Sequence, residues 1–473
     1  MKTYQDFLEV GNDEKSRMQF VKATINEYKS SNMYKEAVIG NDYYNAMNTT
    51  IMRYQKTITS VTGKVLPDMY SANHKITSSF FRIFVCAQNQ HLLGNGATFE
   101  KEKVKETLGG DDFDTILQEL GRNALAHAVS WGFWNNDHMD VFTALEFAPL
   151  RDEETGATRG GVRWWQIDKN KPLRATLYEE DGYTEYIWDK RKNNGEGMVL
   201  HDKRSYVKVV TKSDVDDTEK IEWRNYPSFP IMPLWGNPEH TSEIVGIRNG
   251  IDAYDLIKNG YANELDTAQV FWLIRGAGGM EDPDLAKFLD RLRKNAVAAP
   301  GDGQDVTPVP VNIPFEARER LLDRIESDLY RDFMAFNTEK VVNGSATATQ
   351  IRANYDAGMT AKVDMYEYQI RKFLALVFEI IGEDSKVTFS RSATINAPET
   401  AGVVLQGAQY FTPEYITKKL LTLVGDGDLA DKMIEEMHAN ELEQIQLMQA
   451  QAQMQGAEAQ TEQGTEEQET ELV

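Results

Sequence analysis

One cysteine, Cys86, stands in 473 residues, so no intrachain disulfide framework can form. Its surroundings, FFRIFVCAQ, are apolar, and the expected role is that of a small buried hydrophobe. A phosphate-binding P-loop is missing: Gly63-Lys64 is followed by Val65 and lacks the upstream glycine, so no ATP site is expected. The cluster Gly276-Ala277-Gly278-Gly279 has neither GxGxxG spacing nor a following Lys-Ser/Thr, and reads as a turn at a strand end. Seven histidines (His74, His91, His127, His138, His201, His240, His438) form no HxH or HExxH, so no metal site is expected. Asp214, Asp216 and Asp217 lack EF-hand spacing and read as a solvated hairpin turn. No Ser-His-Asp or Cys-His set can be assembled. The expectation is therefore a protein that is not an enzyme and holds no cofactor.

Basic residues are also short, 51 against 74 acidic, which gives a net charge of −23. A chain with that balance does not grip duplex DNA by counterion release, which needs clustered Lys and Arg. Such a charge does keep a protein monodisperse. Long apolar runs are absent. The strongest, FLALVFEIIG at 373–382, is broken by Glu379 and falls short of the roughly 18–20 residues of a membrane span. The opening MKTYQDFLEVGNDEK has no apolar stretch of the signal-peptide kind, so no secretory leader is expected. A hydrophobic content of 41% allows real cores, and the length suits two or three domains.

What is present changes period along the chain. Residues 15–60 read as helices, 71–93 as a buried helix closed by the Gly94-Asn95-Gly96 turn, and 100 to about 131 as further helices. Asp111, Asp112 and Asp114 suit a helix N-terminus, where acids complement the dipole. From 140 to 235 short β-branched and aromatic segments alternate with turns, a meandering antiparallel sheet with one face buried. Trp131, Trp134, Trp164, Trp165, Trp188, Trp223 and Trp235 are expected in its core.

A Pro-punctuated strand, PIMPLWGNPE, then runs into a long helix over about 242–270. Ile244, Ile247, Ile251, Tyr254, Ile257, Tyr261 and Leu265 make one apolar stripe along it. Gly246, Gly250 and Gly260 each weaken that helix by about 1 kcal/mol relative to Ala, so close approach of another helix or a kink is expected. A small β-containing insert, 271–313, separates it from a second helix that opens at Pro314. Phe315, Leu322, Ile325, Leu329, Phe333 and Phe336 form the second stripe. Arg318, Arg320, Arg324 and Arg331 alternate there with acids, consistent with ion pairs between neighbouring turns or with a channel-lining or subunit-packing face. Asn343-Gly344 interrupts the pattern, and Thr347 to Gln350 fits a capping box. The helix that follows shows Ile351, Tyr355, Met359, Val363, Tyr366, Ile370, Phe373, Val377 and Ile381, and stops at Gly382. Met433–Val473 holds ten acids and no Lys or Arg, and its polar end is expected to be disordered.

Two helices flanking a β-containing knob resemble the stem and clip of tailed-bacteriophage, siphophage-type portal proteins. NHKITSSFFRIFVCAQNQHLLGNGATF (73–99) and ALAHAVSWGFWNNDHM (124–139) resemble that family's wing helices, and PIMPLWGNPE (230–239) its strand into the stem. The resemblance implies an α+β, predominantly helical portal fold assembled as a ring. Its regions would be wing 1–240 (helices, then the β-rich 140–235), first stem helix 241–270, clip 271–313 and second stem helix 314–336. A tunnel loop 337–346, a long wing and crown helix 347–382, the crown 383–445 and an acidic tail 446–473 without a family counterpart would complete the chain.

The same resemblance implies a twelve-subunit channel at one capsid vertex that seeds procapsid assembly and passes double-stranded viral DNA without sequence preference. It makes the protein a virion component, assembled in the host cytoplasm. Implied partners are the terminase large subunit, major capsid and scaffolding proteins and head–tail adaptor proteins, with no membrane. Lys340, Asn343, Gly344 and Ser345 would meet DNA. Ile247, Ile251, Tyr254, Tyr261, Leu322, Ile325, Leu329 and Phe333 would pack the stem and its subunits. Phe271, Trp272, Arg291, Arg293 and Lys294 would dock terminase and adaptors on the clip. The competing reading is another phage head–tail structural protein, an adaptor or minor head protein without a DNA channel; an adaptor is shorter and lacks a β-rich insert.

Overall fold

The computed structural model describes residues 1–59, 63–68, 71–191, 196–212, 219–266, 270–275, 305–310, 315–337, 356–391, 397–424 and parts of 429–448. The chain divides into two compact units, one of 1–346 with 353–392, the other of 347–352 with 393–473.

The first unit opens with α1 (Tyr4–Val10), α2 (Glu14–Ser30), α3 (Asn32–Tyr44) and α4 (Thr49–Arg53). Each of the first three starts on a side chain that satisfies a free N–H. Thr3 and Asp6 form a reciprocal capping box, Asp13 Oδ2 accepts from Ser16 N at 2.8 Å, and Ser31 Oγ from Tyr34 N at 3.2 Å. A short hairpin, β1 (Thr57–Thr59) with β2 (Val65–Pro67), is exposed throughout. Then come α5 (Phe80–Leu93), β3 (Ala97–Phe99), α6 (Glu102–Thr107) and α7 (Asp111–His127). The three acids stand in the first turn of α7, where Asp114 also accepts from Ala97 N at 2.8 Å and pairs with Lys105 at 3.2 Å.

Two corrections fall here. Residues 71–79 are extended, not helical, and the helix begins at Phe80. The segment 124–139 is not one helix: α7 stops at His127, Ala128 sits at φ +73°, and β4 (Val129–Asn135) and β5 (His138–Thr143) follow as a hairpin. The strand-rich part therefore begins at 129 rather than 140.

The remaining strands are β6 (Phe147–Arg151), β7 (Thr158–Trp165), β8 (Leu173–Glu179), β9 (Gly182–Trp188), β10 (Gly197–Arg204), β11 (Val207–Lys212), β12 (Glu219–Arg224) and β13 (Ile231–Trp235). β6 to β10 form an antiparallel meander in chain order. Along β9 every second residue is buried, and Phe20, Val21, Ile25 and Tyr28 of α2 cover that face. β4 is the centre of a second sheet, β13-β4-β5, and Pro233 lies on the β13 edge, where no N–H is owed. Trp131, Trp134, Trp164 and Trp188 are buried as expected; Trp223 is 54% exposed, a correction, because β11 and β12 pair only with each other. Cys86 is exposed as well, opposite the expectation of burial.

After β13 come α8 (Arg248–Asp266), β14 (Val270–Arg275) paired with β15 (Asp305–Pro310), and α9 (Phe315–Phe333). A π-turn at Asp356–Thr360 leads into α10 (Ala361–Ile381), which ends on Gly382 in the left-handed region at φ +70°. β16 (Val387–Phe389) returns to pair with β3. Val363, Tyr366, Ile370, Phe373 and Val377 of α10 are buried against α5 and α7, so its expected stripe is the core's spine.

The second unit contains α11 (Ala397–Gln406), a 3-10 turn at Ala408–Tyr410 and α12 (Pro413–Val424). Glu414 meets His438 Nε2 at 3.1 Å, and Thr417 Oγ1 meets Met437 Sδ at 3.4 Å, which packs the later helical residues on α12. Among the described residues no helix is long and apolar enough to cross a membrane, and no group of His, Cys, Asp and Glu could hold a metal ion.

Candidate functional site

The helices α8 and α9 pack against each other as a pair. The two helices pack closely at Gly250, where a Cβ would lie 2.8 Å from Leu329 Cδ2. Gly260, by contrast, faces open space. Arg318 spans the pair and grips Glu264 with two nitrogens, at 2.6 and 2.9 Å. Tyr261 meets Phe315 edge-on at 5.7 Å. Arg320, Arg324 and Arg331 instead pair with acids one turn away on α9 itself, the ion-laced face that the sequence allows.

Ile247, Ile251, Leu329 and Phe333 are fully enclosed in this chain's own core, with Phe84 stacked on Phe333 at 4.7 Å. Tyr254, Tyr261, Leu322 and Ile325 are half-buried. The apolar residues left exposed on the pair are Leu256, Leu265, Phe315 and Leu321. Leu265 and Phe315 lay in the predicted stripes; Leu256 and Leu321 fell off them and were missed. An apolar residue out of phase with a buried stripe is the signal that would have found them.

At the base, Lys362 of α10 ties the segment that leads into α8 to the last residue of α9. Its ammonium lies 2.7 Å from Glu243 Oε2, donates to the Phe333 carbonyl at 3.1 Å and sits 3.2 Å from the centroid of the Phe333 ring. Burial pushes this lysine's pKa down, against the opposing pull of Glu243.

One face of α8 is polar yet buried. Asp255, Asn259 and Asn263 stand four residues apart and receive the extended segment 74–78 as a strand edge would. Asn263 Oδ1 accepts from His74 N at 2.7 Å. Asn259 both accepts from Ile76 N and donates to Ile76 O, each at 2.7 Å. Asp255 accepts from Ser78 N at 3.0 Å and from Asn48 Nδ2. Burial pushes the Asp255 carboxyl up, opposed by these hydrogen bonds. The arrangement fixes the helix to the rest of the unit through side chains that no local periodicity reveals.

Lys340, Asn343, Gly344 and Ser345, and Arg291, Arg293 and Lys294, lie outside the described residues. Phe271 and Trp272 are on β14, paired with Val309 and Pro308 of β15. An antiparallel strand pair thus lies between the two helices in the chain, matching the expected β-containing insert.

With this geometry in place, comparison with known proteins decides the family. Residues 27–464 match the family described as phage portal protein, SPP1 Gp6-like. The chain belongs to the phage portal family. The portal protein of Bacillus phage SPP1 is 25% identical over 400 residues, covering 77% of this chain and 76% of that protein. The portal protein of Clostridium phage phiCD119 is 22% identical over 400 residues, covering 77% and 85%. A solved structure titled "Neck of native GTA particle computed with C12 symmetry" shares 11% identity at a TM-score of 0.39, over 72% of this chain and 89% of that one. The portal family is a structural class of the bacteriophage head–tail connector.

Proposed function

We propose that the chain forms a dodecameric portal ring at one capsid vertex, the channel through which viral DNA is packaged and ejected. The observation that carries this reading is the family match over 27–464 combined with a helix pair bridged by a β-hairpin. In this reading α8 and α9 are the stem, the insert between them is the clip that docks terminase and later the head-completion proteins, and 337–346 is the tunnel loop. Residues 1–240 form the wing that meets capsid and scaffolding proteins, 347–382 the wing and crown helix, and 383–445 the crown. Leu256, Leu265, Phe315 and Leu321 supply apolar contacts for the neighbouring stem, because a closed ring needs two different faces that complement each other. The net charge of −23 suits a channel past which DNA moves without adhering.

Electron microscopy and mass photometry of the purified protein test this. Rings with a hole wide enough for a duplex, at about twelve times 53.7 kDa, are expected. Monomers or small oligomers without a hole, with scaffolding protein present, would refute the channel and favour the adaptor reading.

A further inference from the structure

Arg151, at the end of β6, is a half-buried cation with no ion pair and no hydrogen bond among the described residues. Its guanidinium lies 5.4 Å from the Trp235 ring, which stacks on His240 at 3.9 Å and 16°. The three face a cleft of about 320 Å³ between β6, β13 and α10. Glu379 borders the cleft but does not pair with Arg151. A guanidinium has five donors and no acceptor, and partial burial beside the Trp235 ring costs this one some of its hydration, which an anion in the cleft would offset.

We propose that this cleft is a socket for a glutamate or aspartate side chain of a neighbouring copy of the same chain; the proposal rests on the ring reading above. The lining selects the ligand. Phe229, Ile231 and Leu376 make much of the wall apolar, Thr158, Ser228 and His240 add polar side chains, and Arg151 supplies the guanidinium fork. An aliphatic stem ending in a carboxylate matches both features, with two N–H···O bonds to the fork. A duplex phosphate matches one only, since it carries sugar and further charge into apolar walls. A second copy is the apt source, because each chain carries 23 more acidic than basic residues.

The test places the photoreactive residue p-benzoylphenylalanine at Thr158, on the cleft wall, in the full-length assembled protein, followed by irradiation and peptide mapping. Covalent dimers joined through an Asp- or Glu-containing peptide are expected. Arg151→Gln should lower their yield about tenfold, and Arg151→Lys, which keeps the charge without the fork, should fall between. Folding of each variant is checked by circular dichroism. Rings that form but cross-link only within one chain, or dimers indifferent to both Arg151 variants, would overturn the socket and leave the ring intact. Loss of the dimers to cross-links with an added DNA duplex would overturn it in favour of phosphate. Absence of rings refutes the ring reading and the socket with it.

Discussion

Replacing Asn259 by Ala should release the segment 74–78 from α8 without unfolding the unit. Asn259 is buried and makes two hydrogen bonds to Ile76, at 2.7 Å each. Truncation leaves the Ile76 N–H and C=O without protein partners. Leaving a buried backbone group unsatisfied costs about 1–3 kcal/mol. Ile76 is itself 39% exposed, so water reaches it and the lower figure applies to each group. The sum, about 2 kcal/mol, corresponds to a roughly 30-fold shift in the local opening equilibrium. Hydrogen exchange read by mass spectrometry should therefore accelerate about that much at His74, Ile76 and Ser78. Exchange in α7 and α10 should hold, because their cores do not include Asn259. Asn249→Ala, at an exposed position of the same helix, is the control and should change nothing. Unchanged exchange at Ile76 in a folded Asn259→Ala protein would refute the clamp. Uniform acceleration across α5, α7 and α10 would refute its local character.

Other outcomes follow from single sites. Burial pushes His127 down to about 4, below the ordinary 6.5. The unfolded chain then binds the extra proton, so stability should fall as pH drops from about 6.5 to 4, by about 3 kcal/mol, and His127→Gln should flatten that limb in urea titrations. A Cβ on Gly40 would lie 1.8 Å from the Ala126 carbonyl oxygen, so Gly40→Ala should destabilise by at least about 1–3 kcal/mol, whereas Gly260→Ala, facing open space in α8, should gain up to about 1 kcal/mol; thermal melts of both variants read the contrast. Deleting Asn343–Ser345 should spare rings in micrographs and lower DNA packaging in an in vitro packaging assay; loss of the rings themselves would refute the tunnel-loop assignment.

The elements legible in the sequence were those whose pattern is local. Val363 to Val377 repeat at three and four residues and do form the spine of the core, and Gly382 ends that helix in the conformation only glycine takes freely. The acids before α7 were legible because a helix start has a fixed chemistry. Residues 71–79 were not, because their donors are satisfied by Asp255, Asn259 and Asn263, some 180 residues away. The Ala-rich run into 124–139 has helix formers, but pairing of β4 with β5 and with the distant β13 overrides them. Cys86 is exposed although its neighbours in sequence are apolar. The buried face of α5 runs instead through Phe84, Val85, Gln88 and Asn89, and Asn89 accepts from Tyr366 at 2.7 Å, so a polar pair occupies the core beside a solvent-facing thiol. Of the candidate stem residues, the deepest four turned out to serve their own chain's core, which the stripe alone could not distinguish from a face kept for a neighbour.

Lys362 has a mechanical consequence. The chain enters the helix pair just after Glu243 and leaves it at Phe333, and this one ammonium touches both points. A pull along the long axis of the pair therefore loads these two ends side by side instead of one after the other. Ties loaded in parallel yield in shear, together, while ties loaded in series peel apart one at a time. A helix pair tied in this way passes tension or twist into α10 as a unit.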